Sequence, residues 1–223
     1  MGSSWRAQPD GAMRTVVGVF GVLAALAASE HGLGEILQGP VAPDGLVIRS
    51  WPRHEGFKIL GGEPALTVLP DLLISGIATV VVAAVFAAWV LAGVHRRHGS
   101  LVLVALSMLL FVVGGGFGPP LLGIILAVGS SRLPAPLRRP ARAARVMAAA
   151  WPWALGVGVL GYLGLVPGTL VLHAAWGTPS TALVYGLMVM AFGGLLLALA
   201  GARARYRLAS WAAASGSPRG AVA

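Results

Sequence analysis

The chain has 223 residues, 57% of them hydrophobic and only 10% charged, with a mean hydropathy of +0.83. Ordinary soluble domains carry roughly a quarter charged residues, so this composition excludes a water-soluble fold. The net charge of +9 comes from fifteen arginines and one lysine set against seven acids. The cations form short clusters at the edges of apolar runs rather than a stripe on a surface, so they read as topology signals and no nucleic-acid partner is expected.

There is no cysteine. This excludes disulfides, thiolate metal sites, a cysteine nucleophile and a lipid-modified cysteine. Any metal would have to use histidine and carboxylates. The bias to Arg, Ala, Gly and Val suggests a GC-rich bacterial source. Several apolar runs approach the roughly 20 residues that cross about 30 Å of hydrocarbon, and none shows the ten-residue alternation of a membrane β-barrel. The expected class is an all-α, polytopic transmembrane helical bundle whose main partner is the lipid bilayer.

In chain order, the first apolar run covers about 14–29. Read from Met13, MRTVVGVFGVLAALAAS also has the basic start, apolar core and small-residue end of a cleavable signal peptide, so membrane helix and leader both stand as readings. A polar segment from about 38 to 67 follows, in which GLVIRSW, FKILGG and ALTVL suggest a small extended cap with Trp51 at the interface.

The second run is 68–94, closed by HRRH at 95–98. The third, 100–130, is too long for one span and is broken by GGGFGPP at 114–120, where Gly and Pro cannot propagate a helix. Arginines flank it on both sides, at 96 and 97 and at 132, 138, 139, 142 and 145. The positive-inside rule then puts both flanks in the cytoplasm and makes 100–130 a short or re-entrant helical hairpin. Its arms, about 15 and 11 residues, would reach only roughly 22 and 16 Å at 1.5 Å per residue. A single kinked helix is the competing reading, and it would leave five arginines outside.

Runs at 146–172 and 180–202 complete about six membrane helices in one membrane domain, 1–207, with both termini cytoplasmic. Gly161, Gly164, Gly168 and Pro167 predict a tightly packed, kinked helix, and Gly193 and Gly194 another close approach. Tyr162 and Tyr185 read as packing residues. Residues 208–223, rich in Ala, Ser, Gly and Pro, read as a disordered cytoplasmic tail.

All seven acids lie at or before Asp71. The later runs therefore lack the deep ionisable groups of proton-coupled pumps. On a helix His31, Glu35 and Gln38 share one face, continued inward by Ala24, Ala27 and Ala28, whereas Glu30 points about 100° away from His31. The expected outward vestibule comprises Glu30, His31, Glu35, Gln38, Asp71 and His173.

Each of these has a plainer alternative. HGLGE can be a solvated helix end broken by its glycines, Asp71 an N-cap behind Pro70, and His173 an interfacial residue beside Trp176. His31 and Glu35 are the candidate metal ligands, although no second histidine at ligand spacing accompanies them. Gly114, Gly115, Gly116, Gly118, Pro119 and Pro120 are candidates for a helix break that exposes backbone polar groups, as in transporters, with a tight packed turn as the alternative.

No nucleophile elbow, HExxH, Walker, CxxC or haem-ligating motif is present, and no cofactor is expected. The sequence favours a small transport or partner-binding component. A membrane enzyme using His31 and nearby carboxylates, or a structural subunit, are the alternatives. The glycine-rich helix faces suit a homo-oligomer or a membrane-protein partner.

Overall fold

The computed structural model describes residues 11–94, 96–131 and 141–214. His95, the arginines at 132, 138 and 139, and tail residues 215–223 lie outside the described residues. The order is α1 (Gly11–Gln38), β1 (Val47–Arg49), a 3-10 turn (Glu55–Leu60), β2 (Pro64–Leu66), α2 (Leu72–Ala92), α3 (Gly99–Val113), α4 (Gly118–Ser131), α5 (Arg142–Leu163), α6 (Thr169–Trp176) and α7 (Thr181–Ala214).

Four helices are long and apolar enough to cross a membrane: α1, α2, α7 and the 35-residue helix formed by α5 and α6 in continuity. A π turn over Gly164–Gly168, containing Pro167, joins the last two. Proline lacks the N–H that α-helical bonding requires there, and the ladder accommodates it by widening one turn. The helices α3 and α4, of 15 and 14 residues, reach only about 22 and 21 Å. They are shorter than the hydrocarbon is thick, so six full spans are not established.

The reversal between α3 and α4 is real. Gly114 and Gly116 adopt φ of 112° and 73°, left-handed values open chiefly to glycine. Ser107 of α3 lies against Gly123 of α4, where a Cβ would strike its hydroxyl. Two residues on either side of the turn at about equal distance meet only if the chain folds back, and a single kinked helix is thereby ruled out.

Close helix crossings use small residues. Gly32 of α1 meets Gly76 of α2, and Gly158 of α5 meets Gly194 of α7, each pair with backbone against backbone. With no hydrophobic gain between helices in lipid, such approach supplies the dispersion contacts that hold them. Helix α1 runs through the middle, burying Val16, Phe20, Ala24 and Ala28 completely. One alternative falls and one expectation is corrected here. Gly32 and Gly34 do not end α1 but let α2 and the cap lean on it, and the helix continues to Gln38. At the C-terminus α7 continues to Ala214, so 208–214 is helical.

The segment between α1 and α2 forms the expected cap. Strands β1 and β2 pair antiparallel with Ile48 opposite Ala65, and the ladder continues as Ser50 and Trp51 donate N–H to Glu63 and Gly62 carbonyls at 3.0 Å each. The Trp51 and Phe57 rings stack 5.1 Å apart. A bridge from Thr67 to Val113 ties the cap to the end of α3. There Ser75 and Thr79 both donate to the Val113 carbonyl at 2.7 Å, satisfying an acceptor that every helix C-terminus leaves orphaned.

Candidate functional site

Two stretches that the sequence marks separately, EHGLGE and GGGFGPP, come together under this cap. His31 is 4% exposed and Glu35 has no exposed surface. A Cβ on Gly114 would lie 2.5 Å from either Glu35 carboxylate oxygen, and one on Gly116 would strike the His31 ring. The turn thus brings bare backbone against both side chains. Its glycines serve as a packed turn that walls a polar site, and the positive φ at two of them is the local cost of that approach.

His31 is held from both sides. Its Nδ1 is 3.0 Å from Ser50 Oγ, and its Nε2 is 3.2 Å from Glu63 Oε2. Ser50 Oγ also donates to Glu35 Oε1 at 3.4 Å. A hydroxyl has one hydrogen, so when Ser50 donates to Glu35 it must accept from an N–H on His31 Nδ1. The Nε2 lone pair, or a second proton on it, then faces Glu63.

Glu30, expected to point away from His31, instead joins the same group. One ligand atom from each of Glu30, His31 and Glu63 lies within 4.8 Å of the others. The site occupies the edge between two helix faces, so neighbouring residues reach it together. Glu30 Oε1 and the Nε1 of the adjoining Trp51 are both buried, with the indole N–H acting on the Glu30 carboxyl.

Glu63 is the member that sequence reasoning missed. It is the one non-glycine among the described residues with positive φ, at 55°. It follows Gly61 and Gly62, which also have positive φ. A side chain in this region costs of order 1 kcal/mol and persists only where the surroundings impose it. The glycine doublet before an acid was the available signal.

The other candidates separate. Asp71 is the N-cap of α2, its Oδ1 accepting from Ile74 N–H at 3.0 Å. Gln38 Nε2 lies within 3.0 to 3.2 Å of the Gly34, Arg49 and Ser50 carbonyls, which pins β1 to α1. His173 lies in the last turn of α6 near the 3-10 turn, where its influence falls on Glu55. It lies outside the Glu30, His31 and Glu63 group. Glu35 reaches His31 only through Ser50.

Beside the group is a cavity of about 420 Å³, bounded otherwise mainly by apolar residues such as Phe117, Leu122, Tyr162, Leu165 and Phe192. The Tyr162 hydroxyl is spent on the Leu23 carbonyl at 3.3 Å. The order Ser50, His31, Glu63 matches the nucleophile, base and orienting acid of hydrolases in kind. Ser50, however, has no exposed surface, so a substrate carbonyl cannot reach it. Its hydroxyl positions His31. Compared with protein-family models, curated proteins and solved structures, the chain matches none.

Proposed function

We propose that this protein is a small binding or transport component of a bacterial cytoplasmic membrane that receives a cation in a vestibule facing away from the cytoplasm. The observation that carries the proposal is the union of Glu30, His31 and Glu63 with a largely apolar cavity. Two carboxylates and an imidazole attract positive charge, and the cavity accepts the apolar part of the same ligand or of a companion.

Orientation follows from charge. Arg14, Arg96, Arg97, Arg142, Arg145 and Arg203 gather at the helix ends opposite the cap, and arginine-rich ends favour the cytoplasm. The cap then faces outward and both termini inward, with α3 and α4 as a re-entrant hairpin supported by the cap. Retention of α1 is supported by its central burial, since a removable leader would take the middle of the core with it. The binding reading is favoured over the enzymatic one because Ser50, the hydroxyl bonded to His31, has no exposed surface.

A single thiol tests the ligand class, because the chain has no native cysteine. In Leu165→Cys, decylammonium is expected to protect the cavity thiol from a small maleimide, whereas decanol is not. Glu63→Gln should remove the protection. Equal protection by both amphiphiles, or none by either, overturns the reading.

A further inference from the structure

Among the described residues His31 pairs with Glu63 and Lys58 with Glu55. Among the described residues no ion pair joins a lysine or arginine to Glu30, Glu35 or Glu63, which gather around the His31 imidazole, Glu63 from the cap itself. Buried carboxylates are ordinarily paired with cations or bound to metals, because uncompensated charge is expensive away from water. Here three carboxylates share one imidazole.

We infer that Glu30, His31 and Glu63 form a divalent transition-metal site, with Ser50 and Glu35 as the supporting groups that orient His31. The inference rests on the cation-binding reading above and names the cation. Zinc takes nitrogen and carboxylate oxygen at about 2.0 to 2.2 Å. Ligands at those lengths stand roughly 2.8 to 3.1 Å apart along the edge of an octahedron and roughly 3.3 to 3.6 Å along that of a tetrahedron. The 3.2 Å between His31 Nε2 and Glu63 Oε2 lies between those spacings, and the ligand atoms of all three side chains lie within 4.8 Å of one another.

The hydrogen-bond chain supplies a second, independent indication. With Nδ1–H donating to Ser50 and Ser50 donating to Glu35, Nε2 is directed at the group, where it carries a proton in the ion pair with Glu63 and would offer a lone pair to a metal in that proton's place. Metal-binding histidines are normally fixed in this way through the other ring nitrogen. Glu35 is fully buried and directs Oε1 at the Ser50 hydroxyl that holds His31, with the Ser75 hydroxyl also acting on its carboxyl. Glu30 Oε1 is buried beside the Trp51 indole.

Three protein ligands leave at least one coordination position free. Open positions characterise sites that bind exchangeable ligands, whereas structural zinc sites are closed by four protein ligands. The cavity adjoining the three side chains is where such a ligand would enter. The donor set of one imidazole and two carboxylates suits Zn, Mn or Fe(II), and the choice among them falls to availability.

The test uses the full chain in nanodiscs, stripped with chelator and titrated with Zn2+ by calorimetry, and with Co2+ by its visible absorption. One tight site per chain is expected, with a Co2+ spectrum characteristic of nitrogen and oxygen ligands. Glu63→Gln and Glu30→Gln should each weaken binding at least tenfold, and Ser50→Ala about 10 to 100-fold through misorientation of His31. His173→Gln and Gly118→Ala should leave it unchanged. Folding of each variant is checked by circular dichroism and gel filtration, and Glu30→Gln stands in if Glu63→Gln does not fold. Absence of a saturable site in the folded parent, or full affinity retained by folded Glu30→Gln, overturns the metal site. Decylammonium protection in the metal-free chain is read separately, so the cation-binding reading can survive that failure or fall without it.

Discussion

The two ends of the helix bundle handle charge in opposite ways. At the arginine end, Arg203 reaches over to the last turn of α4, with Nε donating to the Gly129 carbonyl at 2.9 Å and the guanidinium to Val128 at 3.0 Å. This is a cation on the negative pole of a helix, where orphaned carbonyls need donors. At the cap end, acids and a histidine are covered by protein and joined to one another. One end uses charge to finish helices beside water. The other encloses charge, and enclosure makes a site because it leaves carboxylates that still need a cation.

The contrast can be broken most severely at the turn beneath the cap. Gly116→Ala adds a Cβ at φ of 73° directly on His31, and is expected to cost about 2 kcal/mol or more from backbone strain and overpacking together. Gly118→Ala meets nothing within 4 Å and should stay within about 0.5 kcal/mol of the parent. Thermal unfolding in one detergent compares them, and equal midpoints would show that the turn does not wall the site.

Hydroxyl deletion gives the next effect. Ser50→Ala strands His31 Nδ1 and the Glu35 carboxylate, and is expected to cost about 1 to 3 kcal/mol. Ser131→Ala, at the other end, removes only an exposed contact to the Val128 carbonyl and should fall within about 0.5 kcal/mol of the parent. If chemical denaturation places both alike, the cap end is not the enclosed one.

Helix termini sharpen the comparison further. Asp71→Ala removes the N-cap of α2 and should cost about 1 kcal/mol. Arg203→Ala should cost about the same, but with a salt-dependent share, because its partner is the exposed pole of a helix. Stability measured at low and high salt separates the two.

The smallest effect lies at the 3-10 turn. Glu55 is exposed and accepts from Lys58 Nζ at 2.6 Å, which holds its carboxyl below the ordinary carboxylate value. A lowered folded-state value means that the pair's stabilisation is present above the unfolded value and fades as pH falls through the folded one. NMR titration should find Glu55 returning to its ordinary value in Lys58→Ala, with the unfolding midpoint unmoved, since exposed pairs contribute little. A marked loss of stability would mean that the turn is more tightly held than its exposure indicates.

Much of this molecule is legible in its residues. Apolar run lengths give the four long helices, GGGFGPP gives the reversal, Pro167 the widened turn, and Pro70 with Asp71 the start of α2. Each is a local rule of backbone chemistry acting over one or a few helical turns. The end of α1 had two readings, because glycine reads locally as a helix breaker, and the structure decides for the continued helix: Gly32 and Gly34 are sites of close approach to α2 and the cap. The face shared by His31 and Glu35 was correctly derived from helical periodicity, but the partner of each was not.

The sequence by itself determined which residues are apolar, where helices can start and stop, and that the acids collect near one end. Only the tertiary structure decided that Glu63, 32 positions from His31, supplies the opposing carboxylate, that Ser50 orients the ring and that His173 stands apart. The reason is that ligand geometry depends on distances across chain segments, which are fixed by the β1–β2 register and by glycines that admit a neighbour's backbone. Neither quantity is carried by any single run of the sequence.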